Sequence, residues 1–214
     1  MTAGKIGLFG GTFNPIHNGH LQAAEEVMEI AGLDEVIFIP SHTPPHRLLD
    51  GNISGIDRLR MVEAAVEGRD GLCVSDYEVH REQVSYTYDT LQHFLASRPD
   101  AHLGFLIGTD AFAEFDTWYK ADQVLGLCDF LVMDRPGSRM SAAKALPEKF
   151  RRHYKQIDEN RLVHESGGEV RLIKIRGIEV SSTQIRRYLK NGQNVDDLLP
   201  AKTLAYIRKQ GLYV

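Results

Sequence analysis

The chain has 214 residues, of which 43% are hydrophobic and 25% are charged, and its net charge is −4 with neutral histidines. This composition is typical of a globular domain, which excludes a disordered or collagen-like chain, and the acidic balance argues against binding nucleic acid through bulk charge. Because Cys73 and Cys128 form no CxxC pair, no apolar run could span a membrane, and no signal-peptide pattern follows Met1, we expect a cytoplasmic protein.

Apolar runs of strand length alternate with amphipathic helical stretches along the chain. In chain order the sequence predicts a strand at 6–9, a helix at 21–30, a strand at 36–39, a helix at 57–67, a strand at 72–74, a helix at 86–95, a strand at 103–107, helical stretches at 111–115 and 121–127, strands at 130–133 and 170–175, and closing helices at 183–189 and 201–209.

Continuous apolar strands are buried on both faces, which is typical of a parallel sheet covered by helices. We therefore predict an α/β fold with a doubly wound, Rossmann-like parallel sheet, helices on both faces, and ligands at the carboxyl ends of the strands. Residues 138–168 are rich in charge and break this alternation, so we expect them to form a helical insertion on the surface of a single domain spanning residues 1–214.

The loop between the first strand and the first helix reads GGTFNPIHNGH, from Gly10 to His20. Gly10 and Gly11 allow the backbone to approach a bulky anion, and the helix that follows offers free N–H groups to phosphate. Because His17 and His20 are three residues apart, both imidazoles can face one substrate region. A plain tight turn, surface histidines or a metal site are the alternatives, and no third ligand stands at a recognised spacing.

A second motif, SSTQIRR, lies near the C-terminus. Ser181 followed by Gln184 is a capping-box pattern, which predicts the start of a helix. The hydroxyls of Ser182 and Thr183, with the guanidinium of Arg186, would form a second phosphate cradle there. The alternative is an ordinary helix start with a solvated basic turn.

These two motifs resemble the HxGH signature and the SSTxIR element of a nucleotidyltransferase superfamily that shares the former with class I aminoacyl-tRNA synthetases. The resemblance implies a catalytic role for His17, His20 and Arg186 in stabilising the nucleotide phosphates. It also implies ATP, carried with Mg²⁺, as a substrate. The residues that it implies for ATP binding are Gly10, Gly11, Thr12, Phe13, Gly108, Asp110, Ser182, Thr183 and Ile185.

Three further segments are candidates for binding a second substrate. The loop PSHTPPHR, residues 40–47, places a basic tip on a stiff segment. SYTYDTL starts a helix for which Ser85 is the expected N-cap. GTD, residues 108–110, follows an apolar strand and precedes the pair Trp118 and Tyr119. Taken singly, they could be a surface turn, a capped helix and an aromatic pair in the core.

Taken together, these segments resemble bacterial nicotinate-nucleotide adenylyltransferases over nearly the whole chain, from Lys5 to about Tyr188. The resemblance implies that Trp118 stacks on a pyridine ring, that N–H groups near Thr87 and Tyr119 hold the ring carboxylate, and that Asp110 takes sugar hydroxyls. The residues that it implies for acceptor binding are His46, Arg47, Thr87, Asp110, Trp118, Tyr119 and Arg135.

The implied reaction joins ATP and nicotinic acid mononucleotide and releases pyrophosphate, without a covalent enzyme intermediate. Two departures from the family pattern are Asn14, where Asp is common, and Arg47, where Lys is frequent. The alternatives are an enzyme for nicotinamide mononucleotide or pantetheine phosphate, and a nucleotide-binding sensor without chemistry. We expect no nucleic-acid or membrane partner and leave homo-oligomerisation open.

Overall fold

The computed structural model describes residues 4–42, 53–81, 84–135, 137–138, 140–177 and 180–214. The strands in these ranges are β1 (Lys5–Gly11), β2 (Glu35–Pro40), β3 (Leu72–Val74), β4 (His102–Gly108), β5 (Asp129–Asp134), β6 (Tyr154–Asp158), β7 (Arg161–His164) and β8 (Glu169–Lys174). The helices are α1 (Asn18–Ala31), α2 (Gly55–Val66), α3 (Thr87–Ser97), α4 (Thr109–Ala113), α5 (Ala121–Val124), α6 (Ala142–Ala145), α7 (Glu148–Arg151), α8 (Ser182–Lys190) and α9 (Ala201–Gln210), with a 3₁₀ turn at Phe115–Thr117. No helix in these ranges is long and apolar enough to cross a membrane.

The described strands form one sheet in the order β3-β2-β1-β4-β5-β8-β7-β6. The first six strands of that order pair in parallel, which confirms the predicted doubly wound α/β architecture. The direction of winding reverses between β1 and β4. In such a sheet ligands bind beyond the carboxyl ends of the strands at this reversal, so Gly11 and Gly108 mark the expected position of a site.

The expectation of a helical insertion over residues 138–168 is wrong for its second half. The short helices α6 and α7 lie there, but β6 and β7 follow and extend the sheet as an antiparallel hairpin. Strand β6 is the sheet edge and is mostly exposed, and Leu162 is the one fully buried residue of β7. An edge hairpin buries too little surface to need the continuous apolar run by which the central strands were recognised.

Two apolar layers cover the sheet. Side chains of α3, α4, α5, α6 and α7 pack on one face, and those of α1, α2, α8 and α9 pack on the other. Neighbouring strand residues alternate between the layers, as Leu8 and Phe9 of β1 do. Helices α1 and α8 both belong to the second layer and therefore lie on the same side of the sheet, which allows the two sequence motifs to meet.

Candidate active site

The glycine-rich loop leaves the carboxyl end of β1 and leads into α1. A Cβ on Gly11 would lie 2.8 Å from the ring of Phe13, so glycine leaves the space that this ring occupies. Phe13 has a positive φ of 47° and is 3% exposed, and its ring packs edge-to-face on His20 at 5.2 Å between centroids. These contacts make Phe13 a support of the loop, and the ATP-binding role that the resemblance implies for it stays a prediction.

The two histidines stack on each other at the start of α1. Their ring centroids are 3.6 Å apart with 19° between the planes. The backbone N–H of His17 donates to Nδ1 of His20 at 3.3 Å. A Cβ on Gly19 would lie 3.1 Å from Nδ1 of His17 and 2.8 Å from the side chain of Val180. The glycine of the motif thus makes room for the stacked imidazoles.

Both imidazoles are neutral near neutral pH. Burial lowers the pKa of His17 to about 4, against a smaller opposing effect of its backbone hydrogen bond. Burial, and then the neighbouring His17, hold the pKa of His20 well below its ordinary value. Nδ1 of His20 accepts a hydrogen bond, so the single proton of the neutral His20 ring is assigned to Nε2. Each ring can therefore donate one N–H to a ligand without carrying a charge.

The C-terminal motif contacts the glycine-rich loop directly. The hydroxyl of Ser182 donates to the carbonyl of Pro15 at 2.9 Å. Nη1 of Arg186 donates to the carbonyl of Asn14 at 2.9 Å, and its Nη2 donates to the hydroxyl of Thr183 at 3.3 Å. The two motifs are about 170 residues apart in sequence, yet these bonds place their phosphate-type donors side by side.

Helix α8 begins as its sequence indicates. The hydroxyl of Ser181 accepts from the N–H of Gln184 at 3.2 Å, which is one half of the capping box. Ile185 has no exposed surface, and its N–H donates to the carbonyl of Ser181. Its side chain packs in the core and its N–H is engaged, so these contacts anchor α8, and a contact of Ile185 with ATP stays a prediction.

A cavity of about 560 Å³ opens beside the glycine-rich loop at the carboxyl ends of β1 and β4. Its lining includes seven of the residues that the resemblance implied, namely Gly10, Gly11, Thr12, Thr87, Gly108, Trp118 and Tyr119. The indole of Trp118 packs edge-to-face on Phe105, with 6.0 Å between ring centroids. It also packs on Phe115 in a tilted arrangement, with 5.1 Å between ring centroids. A flat ligand ring would find a fixed aromatic wall here.

Aromatic rings and one cation stand at the rim of this cavity. Tyr119 is 46% exposed, and its ring lies 4.6 Å from that of Tyr86. Nζ of Lys120 lies 4.0 Å from the ring centroid of Tyr88 and 5.1 Å from that of Tyr119. Sequence reasoning overlooked Lys120, because a lysine after an aromatic pair is an ordinary surface residue until the fold places it.

The other implied residues that the structure describes are not in the lining of this cavity; they are Phe13, His17, His20, Asp110, Arg135, Ser182, Thr183, Ile185 and Arg186. Asp110 is exposed in the first turn of α4, and Arg135 is exposed directly after β5, so both are at the carboxyl side of the sheet but not in the cavity lining. His46 and Arg47 lie outside the described residues.

Sequence reasoning also missed two buried charged residues beside the cavity. Arg58 of α2 has no exposed surface, and Glu78, in the segment after β3, is 7% exposed and lines the cavity. A signal for Arg58 was present: with Val62 and Val66 it occupies the apolar stripe of α2 at helical spacing. A charge in such a stripe is costly to bury unless it is hydrogen-bonded, so it usually has a specific partner.

The cavity lies where the winding of the sheet reverses, and the donors beside it are suited to phosphate. These features define a nucleotide-binding α/β protein. The sequence matches the profile of the cytidylyltransferase-like family over residues 8–188. The chain belongs to that family and, within it, to the nicotinate-nucleotide adenylyltransferases, as the following full-length relatives indicate.

Curated relatives match the chain over almost its whole length. A protein of Geobacter sp. (strain M21), named "Probable nicotinate-nucleotide adenylyltransferase", is 41% identical over 98% of both chains. A Clostridium tetani protein of the same name is 37% identical, also over 98% of both chains. Among solved structures, Plasmodium falciparum nicotinic acid mononucleotide adenylyltransferase complexed with NaAD superimposes with a TM-score of 0.71 at 18% identity, covering 98% of this chain and 97% of that chain. This last likeness supports the fold.

Proposed function

We propose that this chain transfers the adenylyl group of ATP to the phosphate of nicotinic acid mononucleotide, giving nicotinic acid adenine dinucleotide and pyrophosphate. The observation that carries the proposal is the direct hydrogen bonding of Arg186 and Ser182 to the carbonyls of Asn14 and Pro15. These bonds unite the two phosphate-type motifs beside the cavity at the switch point of the sheet.

The full-length relatives, which are named for this activity at 41% and 37% identity, support the choice of acceptor. The cavity offers a fixed indole, Trp118, for a pyridine ring, and the first turn of α3 at Thr87 for a ring carboxylate. A carboxylate gains more than an amide does from N–H donors at the start of a helix.

The reaction is an in-line displacement. A phosphate oxygen of the acceptor forms a bond to the α-phosphorus of ATP, the bond from that phosphorus to the bridging oxygen breaks, and pyrophosphate leaves with the electron pair. The attacking oxygen is already anionic, so the protein supplies positioning and charge stabilisation. In this proposal His17 and His20 donate N–H groups to the phosphates, while Thr12, Thr183 and Arg186 hold the leaving group.

Mg²⁺ fits this site as an ion that arrives with the nucleotide. The described residues contain no group of three or more His, Cys, Asp or Glu side chains that could hold a metal, and Mg²⁺ commonly keeps its waters and binds through substrate phosphates. When bound, the ion neutralises phosphate charge. The histidines are neutral and Arg186 is a cation, so none of these three side chains is an anionic ligand that would replace the phosphates around the ion.

The decisive experiment measures pyrophosphate release with ATP and one acceptor at a time. We expect the highest kcat/KM with nicotinic acid mononucleotide, and a value lower by at least about tenfold with nicotinamide mononucleotide, which lacks the charge-assisted hydrogen bonds of the carboxylate. Pantetheine phosphate should give no release above background. Equal or better turnover with either alternative acceptor would contradict the proposal, and binding of both substrates without release would identify a sensor.

A further inference from the structure

A chain of hydrogen bonds runs through the wall of the cavity. It starts at the buried guanidinium of Arg58, which donates from Nη1 to the carbonyl of Thr12 at 2.7 Å and from Nη2 to the carbonyl of His42 at 2.9 Å. Burial lowers the pKa of Arg58, opposed by Tyr213 and Glu78. One side chain therefore joins the glycine-rich loop to the segment that follows β2.

The chain continues from the segment after β2 to the start of α3. The N–H of His42 donates to the hydroxyl oxygen of Ser85 at 3.1 Å. The hydroxyl of Ser85 in turn donates to the carboxylate of Glu78, and the hydroxyl of Thr90 donates to Oε1 of the same carboxylate at 2.6 Å. Glu78 thus holds two hydroxyls, one just before α3 and one in its first turns.

Glu78 is expensive to bury at this place. Burial raises the pKa of its carboxyl group, and the hydrogen bonds of Thr90 and Ser85, with the charges of Arg81 and Arg58, act in the opposite direction. An apolar side chain of similar size would fill the same wall without this desolvation cost. We therefore infer that the carboxylate serves to orient the two hydroxyls and contributes less to the stability of the cavity wall.

The hydroxyls lie next to the residues assigned to the acceptor. Helix α3 begins at Thr87 with Tyr86 as its N-cap, so the expectation that Ser85 caps this helix is wrong, and no side chain of the described residues caps it. Thr87 and Ser85 both line the cavity together with Trp118. The direction of the first N–H groups of α3 is set by where the chain enters the helix, and Glu78 fixes that entry through Ser85 and Thr90.

We propose that Glu78 is a positioning residue for the acceptor: through Ser85 and Thr90 it orients the start of α3 toward the acceptor in the cavity. This inference rests on the proposed function. It assigns Glu78 no contact with ATP and no part in the chemical step. Arg58 completes the network, because its hydrogen bonds to the carbonyls of Thr12 and His42 hold both segments beside the wall of the cavity.

The test replaces Glu78 and separates the steady-state constants of the full-length enzyme. We expect Glu78→Leu to raise the KM for nicotinic acid mononucleotide on the order of tenfold, the size of one or two lost hydrogen bonds, with kcat and the KM for ATP close to those of the parent. Glu78→Gln keeps an oxygen for Thr90 and should recover part of the loss. Ser85→Ala should raise the same constant and, combined with Glu78→Leu, should add little to it.

Thr203→Val is the matched control. The hydroxyl of Thr203 is fully buried and donates to the carbonyl of Met61 at 3.1 Å, between α9 and α2. This variant should lower the melting temperature and leave the KM for the acceptor unchanged. A folded Glu78→Leu protein with the parent KM for the acceptor, or with equal rises in both KM values, would overturn the inference. If Glu78→Leu does not fold, Glu78→Gln and Ser85→Ala decide by the same criterion, whereas an inactive parent would contradict the proposed function instead.

Discussion

Neutrality defines what the stacked imidazoles of His17 and His20 can contribute. A protonated pair 3.6 Å apart would repel, and burial removes the water that would screen it. Kept neutral, each ring offers a directed N–H at a fixed place. Preorganised donors of this kind are effective where charge develops during a reaction, because they need no rearrangement as the charge appears.

Removing the imidazole of His20 should slow catalysis and leave the fold intact. Loss of a donor that acts mainly in the transition state typically lowers kcat on the order of 10²–10³, and we expect a loss of that size with an unchanged far-UV CD spectrum. The matched control is His153→Ala, because His153 directly precedes the edge strand β6 and contacts Glu165 there. That variant should keep the parent rate, and equal turnover of His20→Ala and parent would remove His20 from the proposed role.

The buried imidazole of His17 should make the stability of the protein depend on pH. The folded-state pKa of His17 is about 4, below the value of about 6.5 for an unfolded chain. Between these values the unfolded state binds more protons, so the free energy of unfolding falls as the pH is lowered, by up to about 1.4 kcal/mol per pH unit for this group. His17→Gln should make that slope shallower in urea titrations from pH 6.5 to 4. Parallel curves for parent and His17→Gln would contradict the assigned burial.

The placement of site residues was predictable where it depends on local order, and it was missed where it depends on distant partners. The spacing of Gly19 and the histidines is readable because glycine, turn and helix start are adjacent in sequence. Arg58 and Glu78 are different: the partners of Arg58 lie in two other segments, 46 and 16 residues away. A sequence shows that such a charge is unusual in an apolar stripe, but not which carbonyls it serves.

At the scale of elements, the central strands and the long helices follow from their apolar patterns. The predicted strand at 72–74 coincides with β3, and the other predicted strands differ from the structure by one or two residues at each end. Helix α1 begins three residues earlier than predicted, at Asn18, because its first turn is polar and carries the histidine motif. The same polarity that obscures the start of the helix supplies the ligand donors.

The hairpin of β6 and β7 could not be predicted from an apolar pattern. Its inner strand pairs with β8 from Arg161 to Val163, so its hydrogen bonds, and not a long apolar run, place it in the sheet. Among the described strands β6 pairs with β7 alone, and it carries Lys155 and Asp158 on its exposed length. Charges on an edge strand discourage pairing with other chains, and in sequence they resemble a solvated helix.

At the scale of the whole molecule, the two ends of the chain build one site. Asn14 receives the guanidinium of Arg186 on its main-chain carbonyl, and its side-chain Oδ1 accepts from the hydroxyl of Tyr213 at 2.6 Å, 199 residues away. The motifs at the two ends of the chain predicted that the segments of Asn14 and Arg186 meet, because each motif is suited to phosphate. Tyr213 belonged to no motif, so only the fold could show that the last residues help to fix the loop.

Removing the hydroxyl of Tyr213 should weaken both the fold and the binding of ATP. Asn14 is 5% exposed, and Tyr213→Phe would take one hydrogen-bond donor from it at a cost of about 1–3 kcal/mol in the free energy of unfolding. Because Asn14 also holds Arg186, we expect the KM for ATP to rise several-fold, with a smaller change for the acceptor. Tyr206→Phe is the matched control: its hydroxyl donates to Asp57 at 3.0 Å, between α9 and α2, so it should lose stability without changing the KM for ATP. If the two variants differ from the parent only in stability, the C-terminal end closes the fold but does not tune the nucleotide loop.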